Sequence, residues 1–228
     1  MLLLSVDSSS QAATAALLSD GELLCEYTQN QAKTHSVKML PMIEQMMADT
    51  EISFDDIDAF ACGIGPGSFT GLRIGVATVL GLNNTLGKIA VPVTSLEALA
   101  NNVNSFDGIV VPLVFAREDE CFMGAFEKGE EIVSPCVMTL DEIVSYAKGK
   151  KCILVGDGAV KNKDYFKENL DCVFAIGRQN VVSAASLGEI AYKKLISGKV
   201  AENEKLIPLY LRKSQAEREY EMKHSSDK

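Results

Sequence analysis

The chain has 228 residues, 22 Lys and Arg against 31 Asp and Glu, a formal net charge of −9, and 47% apolar residues. The apolar fraction excludes a disordered chain, and the acidic excess argues against a free-standing nucleic-acid binder, which neutralises phosphates with Lys and Arg. The two histidines, His35 and His224, lie too far apart for a paired-histidine zinc motif, and the six cysteines form no CxxC pair and read as reduced thiols of a cytoplasmic protein.

The N-terminus has no basic segment and reaches Asp7 at once, so it does not read as a signal peptide. No apolar run approaches the roughly 20 residues of a membrane span. Residues 2–6 form an apolar strand that ends at Asp7, Ser8, Ser9 and Ser10. Residues 12–18 and 22–27 continue as strands around a Ser19-Asp20-Gly21 turn, which makes a β-meander. Thr34 reads as the N-cap of a helix over 35–48. Val37, Leu40, Ile43 and Met47, with Met39, Met42 and Met46 beside them, give that helix a very broad apolar face, and Pro41 should kink it or mark its effective start. A strand over 58–64, a Gly65-Pro66-Gly67-Ser68 turn, a helix over 69–86, a strand over 89–93 and a helix over 96–101 capped by Thr94 or Ser95 complete the first half.

The second half repeats the pattern. Residues 109–115, 121–126 and 132–138 read as strands with turns at Glu118-Asp119 and Gly129. A helix over 140–147, a strand over 153–155 running into Gly156-Asp157-Gly158-Ala159, and a helix over 185–196 follow. Meander then βα alternation, twice, predicts an α/β fold of two related subdomains, each a mixed sheet flanked by helices, around a cleft. The boundaries are placed at 1–104 and 105–211, with 212–228 a charged, frayed tail.

The most specific stretch runs from Gly63 to Gly75. It follows a strand and opens a helix, the context that binds phosphate at a helix N-terminus. It lacks the Gly-Lys-Ser/Thr of a P-loop, and Thr70 stands where a dinucleotide fingerprint wants its third glycine. The favoured reading is a structural turn at Gly65 and Gly67, with Gly71 and Gly75 on one helix face admitting another helix. Asp7, Ser8 and Ser9 fit either a Mg²⁺–phosphate site or a hairpin turn. Gly156 and Gly158 could contact a nucleotide, and a plain βα turn is the preferred alternative. No cysteine has a histidine near it in sequence, and no Gly-x-Ser-x-Gly elbow is present, so a peptidase has neither metal pair nor triad. The methionines at 39, 42, 46 and 47 fit a doubly buried helix and a partner surface equally.

Several segments together resemble the bacterial TsaB (YeaZ) family: Gly63 to Gly75, Ser5-Val6-Asp7-Ser8-Ser9, Thr34-His35-Ser36 with Leu40-Pro41, the run from Val91 to Leu99, and Pro208-Leu209-Tyr210-Leu211-Arg212. The resemblance covers nearly the whole chain. It implies an actin/Hsp70/sugar-kinase-like fold. It also implies a non-catalytic subunit that binds a TsaD-like catalytic paralogue and, with a TsaE-like ATPase, supports threonylcarbamoyl transfer to the adenosine 3′ of the anticodon in tRNAs reading ANN codons. Where TsaD-like proteins carry a His-x-x-x-His metal pair, this chain has Ser95 and Leu99, and Phe115 stands where TsaB-like chains often have Asp.

The expected partner face lies on the helices near 35–48 and 69–86, through His35, Met39, Leu40, Ile43 and Met47 and through Leu72, Arg73, Val76 and Leu80. Alone, that face should form a homodimer. Neither catalytic residues nor a metal are expected; tRNA is met only through the complex, no membrane is involved, and a weak ATP or ADP site would use Asp7, Ser8, Ser9, Gly156 and Gly158. The alternative is a stand-alone ATP-dependent transferase or ATPase.

Overall fold

A computed structural model describes residues 1–30, 35–200 and 205–212, with only the backbone described at 35–37. The first sheet is built from β1 (Leu2–Asp7), β2 (Ala12–Ser19) and β3 (Glu22–Asn30) as an antiparallel meander. The β2–β3 hairpin closes on Asp20 and Gly21, both at positive φ, the conformation that a two-residue hairpin turn demands. After α1 (His35–Thr50), β4 (Ala59–Gly63) joins β1 in parallel. After α2 (Phe69–Leu86), β5 (Ile89–Val93) joins β4, giving the order β3-β2-β1-β4-β5. The helix α3 (Ser95–Asn101) closes this half with a Thr94–Glu97 capping box.

The second sheet repeats the first. It comprises β6 (Ile109–Arg117), β7 (Glu120–Glu127) and β8 (Glu130–Thr139) as a meander, α4 (Leu140–Ala147), β9 (Cys152–Val155), α5 (Asp157–Lys161), α6 (Lys163–Asn169) and β10 (Val173–Phe174), with order β10-β9-β6-β7-β8. The chain then enters α7 (Ala184–Ile196). The short pieces α5, α6 and β10 were not expected from the sequence.

Strands β1 and β2 are buried on both faces, so they read as nearly continuous apolar runs. Alternate residues feed two layers. Leu4, Val6, Ala15 and Leu17 meet Met39, Ile43, Met46 and Val79 of α1 and α2. Leu3, Ala16 and Leu18 meet Leu187 and Ala191 of α7, in a core that also holds Leu96 and Leu99 of α3 with Val110 and Val114 of the second sheet. The two halves therefore exchange helices: α3 packs on β6 and β7, and α7 packs on β1, β2 and β5. Gly188 of α7 permits this, since a Cβ there would overlap Leu18. The first sheet is drawn from residues 2–93 and the second from residues 109–174, while α7 and Leu206, expected in the second subdomain, pack against the first sheet. Of the tail, only Arg212 lies within the described residues.

The methionine stripe is core. Met39, Met42, Met46 and Met47 are all buried against β1, β2 and α2. Pro41 lies inside α1 without ending it. Thr34 lies outside the described residues, as does the side chain of His35.

Candidate functional site

The parallel strands of both sheets point their C-terminal ends at one cleft, the usual ligand position in open α/β sheets. On the first side, Asp7 ends β1 fully buried. Its Oδ1 accepts from the Ser9 amide at 3.0 Å and from Ser9 Oγ at 3.0 Å. Ser9 Oγ also lies 2.8 Å from Ser95 Oγ; because the Ser9 proton goes to Asp7, Ser95 supplies the proton of that second bond. Asp7 Oδ2 has no hydrogen-bond partner. Burial pushes the Asp7 carboxyl up to about 6, against the lowering effect of the Ser9 bonds.

The glycine run packs directly on this loop. A Cβ on Gly63 would overlap Asp7 Oδ2, one on Gly67 the carbonyl of Ser9, and one on Gly71 the carbonyl of Ser8. Gly75 approaches Ser8 Oγ, where a Cβ would sit at 3.0 Å. Ser8 Oγ donates to the Gly71 carbonyl at 2.8 Å, and the Ser68 amide donates to the Ser9 carbonyl at 2.7 Å. Gly65, at φ +98°, turns the chain, and Ser68 caps α2. Close packing is thus the structural role of these glycines, with one correction. The element they admit is the Ser8–Ser9 loop, not another helix.

On the second side, Gly156 at φ +107° lies against the Leu113 carbonyl, and its amide donates to Asn180 Oδ1 at 2.9 Å. Gly158 packs on the same carbonyl and on Cys121 Sγ. Asp157 accepts from the Phe115 amide at 3.0 Å, and burial raises its carboxyl above the usual range. The Lys161 ammonium sits 3.1 Å from the centre of the Phe115 ring. Ser9, Ser10, Pro66, Ser95, Leu99 and Asp157 line an open recess of about 90 Å³. Small-molecule sites usually occupy about 300–1,000 Å³. Of the proposed nucleotide residues, Ser9 lines this space; Asp7 packs on Gly63 at the end of β4 and Ser8 on Gly71 and Gly75 of α2. Ser95 and Leu99, which the resemblance sets against the metal pair of TsaD-like proteins, both line it.

The residues expected on the partner face divide sharply. Met39, Ile43, Met47 and Leu72 are buried in the chain's own core, and Val76 is only 7% exposed. They cannot also present a surface to a partner while the chain is folded. Leu40 and Leu80 remain, at 43% and 49% exposed, with Arg73 exposed on the same helix as Leu80. Two further residues meet this face unforeseen: the Tyr210 ring stacks on Phe69, and its hydroxyl accepts from Arg73 Nε at 3.2 Å. The Pro208–Arg212 run was the signal for them, but it carried no position.

The six cysteines are free, and burial raises the thiols of Cys62, Cys121 and Cys172, that of Cys121 to about 12. Among the described residues no group of three or more His, Cys, Asp or Glu is placed to hold a metal ion. No described helix is long and apolar enough to cross a membrane.

Comparison with known proteins fits this architecture. The family model TsaD: tRNA N6-adenosine threonylcarbamoyltransferase matches residues 22–220. The chain is 28% identical to the tRNA threonylcarbamoyladenosine biosynthesis protein TsaB of Bacillus subtilis, over 95% of this chain and 96% of that one. The structure of YeaZ from Pseudomonas aeruginosa superposes with a TM-score of 0.78 at 25% identity, covering 92% of this chain and 99% of that one. A further likeness, 11% identical with TM-score 0.50, to an activator of 2-hydroxyisocaproyl-CoA dehydratase from Clostridium difficile solved with bound ADPNP, concerns the fold alone. The fold is the actin/Hsp70/sugar-kinase-like one, and the chain belongs to the TsaD: tRNA N6-adenosine threonylcarbamoyltransferase family, within which it groups with the TsaB (YeaZ) proteins.

Proposed function

We propose that this chain serves tRNA threonylcarbamoyladenosine biosynthesis as a non-catalytic subunit that docks a TsaD-like catalytic paralogue, with a TsaE-like ATPase as a further member of the system. The observation that carries the reading is the state of the cleft. On the resemblance, Ser95 and Leu99 stand where TsaD-like proteins carry their metal pair, the glycine run packs against the Asp7–Ser9 loop, and the recess that Ser9, Ser95 and Leu99 line has a volume of about 90 Å³, below that usual for a small-molecule site. Leucine offers no atom to a metal. The net charge of −9 supports a role in which the partner, not this chain, carries the tRNA-binding surface.

The docking face is the outer side of α1 and α2, centred on Leu40 and Leu80, with Arg73 beside them. In the absence of the paralogue the same face pairs with a second copy, as exposed apolar surface favours. The test is co-purification with a TsaD-like protein, with Leu80→Arg as the variant. Loss of the complex from a variant that remains folded supports the reading; an undiminished complex rejects this face. Calorimetric titration of the isolated chain with Mg-ATP separates it from a stand-alone ATPase, which would bind and turn over nucleotide.

A further inference from the structure

Two cysteines meet at the edge of the second sheet. β9 and β10 pair in parallel, with Val173 opposite Ile153 and Phe174 opposite Leu154, and the ladder continues where the Ala175 amide donates to the Leu154 carbonyl at 2.9 Å. Carried one residue back, this register sets Cys172 beside Cys152. The strand period of two puts both side chains on one face. Cys152 and Leu154 belong to the core built with Ile143, Phe166 and Leu170, and Cys172 and Phe174 pack against that same core. Ile153 faces the opposite layer, and Val173 is exposed.

Neighbouring strands lie about 4.8 Å apart, inside the range of about 4.4–6.8 Å between Cα atoms that a disulfide spans. β10 is the edge strand of its sheet and is two residues long, so Cys172, just before it, has room to adjust. The other cysteines are not set in register. Cys121 and Cys136 lie on paired strands, but opposite Met138 and Met123. Cys25 and Cys62 lie in the first sheet on β3 and β4, which are not neighbours. Exposure divides the Cys152–Cys172 pair: Cys152 is 2% exposed and Cys172 is half-buried. A reagent therefore reaches Cys172 first.

We propose that Cys172 and Cys152 form a reversible disulfide site, oxidised by small disulfides of the glutathione class, with Cys172 as the entry thiol and Cys152 as the resolving thiol. The Cys172 thiolate attacks one sulfur of the small disulfide. That S–S bond breaks, one half leaves as a thiolate, and Cys172 carries the other half. The Cys152 thiolate then attacks Cys172 Sγ and expels the second half. The protein pair loses two electrons to the small disulfide, and the two cysteine protons end on the two released thiols. Burial, the neighbouring Cys152 and Asp171 hold the Cys172 thiol up at about 11, and burial raises Cys152 against the opposing effect of Lys150. Thiolate is scarce near neutrality, so the exchange is slow there. The ring that closes contains α5, α6 and the Gly156–Gly158 turn, so the bond fastens the cleft's second side at the sheet edge.

Thiol mapping of the folded full-length chain tests the site. The chain is held in excess glutathione disulfide at mildly alkaline pH, quenched with acid, alkylated with N-ethylmaleimide and read by intact mass and peptide mapping. The expected product is lighter than the reduced chain by two hydrogens before alkylation, takes up two fewer maleimides, and yields a linked peptide pair joining Cys152 to Cys172. Dithiothreitol should restore both thiols. In Cys152→Ala the reaction should stop with one glutathione on Cys172. In Cys172→Ser, Cys152 should stay reduced. The site is overturned if both thiols of the unaltered chain remain alkylatable, if Cys172 keeps its glutathione while Cys152 stays reduced, or if the links formed join other cysteines. These three readings need no variant, so a substitution that fails to fold leaves the test intact.

Discussion

Ser8 Oγ donates to the carbonyl of Gly71 at 2.8 Å, so a hydroxyl placed where phosphate chemistry would want it is consumed inside the fold. The helix that takes it comes this close because residue 71 has no side chain: a Cβ there would overlap the Ser8 carbonyl. The Asp-Ser-Ser loop and the glycine run, 63 positions apart, are two halves of one packing joint.

That joint predicts opposite outcomes for two glycines on one helix. Gly71→Ala should destabilise the chain by about 2 kcal/mol or more, because overpacking against backbone exceeds the helix-propensity gain. Gly81→Ala has nothing within 4 Å of the new Cβ and should stabilise by up to about 1 kcal/mol. Urea denaturation midpoints measure both. A neutral Gly71→Ala would show that the joint tolerates a methyl group and that the glycine serves something else.

Asp7 sets a pH dependence. Its carboxyl sits near 6 in the fold against an ordinary value of 3.8, so between those pH values the folded state holds more protons than the unfolded one. Stability contributed by this group is therefore present below about pH 4, falls as pH rises to about 6, and stays low above it. A shift of this size corresponds to about 3 kcal/mol at most. Asp7→Asn, which mimics the protonated acid, should flatten this segment of the stability–pH curve. An unchanged slope between pH 4 and 6 would place the titration elsewhere.

Burial separates two substitutions on α2. Val76→Arg forces a charge into the core and should unfold the chain or cost several kcal/mol. Leu80→Arg lies in solvent and should change stability by less than about 0.5 kcal/mol while abolishing association. Thermal melts beside sedimentation at several concentrations read both effects. Equal melting losses for the two would mean that α2 is packed differently.

Nucleotide binding should be poor. With a cavity of about 90 Å³, the isolated chain should give no saturable heat with Mg-ATP up to about 1 mM, the equivalent of about −4 kcal/mol. A micromolar Kd would require the cleft to open on its own.

Locally encoded features were legible in the sequence. The Asp20-Gly21 hairpin and the cap of α3 each depend on a few neighbouring residues; the hairpin is found where the residue types place it, and of the two cap residues read from the sequence, Thr94 and Ser95, the structure uses Thr94. Features decided by what lies across the chain were not. The methionine stripe of α1 reads the same whether a sheet or a partner covers it; only the position of β1 and β2 assigns Met39 and Met46 to the core. The glycine spacing announced a close approach, but not that Ser8 would be the neighbour. Phe69 and Tyr210 carry no mutual signal, because stacking leaves no periodicity. For the site, the strand ends pointed to Asp7, Ser8, Ser9, Gly156 and Gly158, of which Ser9 lines the cavity; the other lining residues depend on packing that no motif records.

The exchange of α3 and α7 makes the two lobes interdependent. Each sheet is covered on its shared face by a helix from the opposite half, so neither half carries a complete core. A cut between residues 104 and 109 should give two fragments that cannot mature separately and regain structure only by complementation. Structural duplication has here produced one cooperative folding unit instead of two modules.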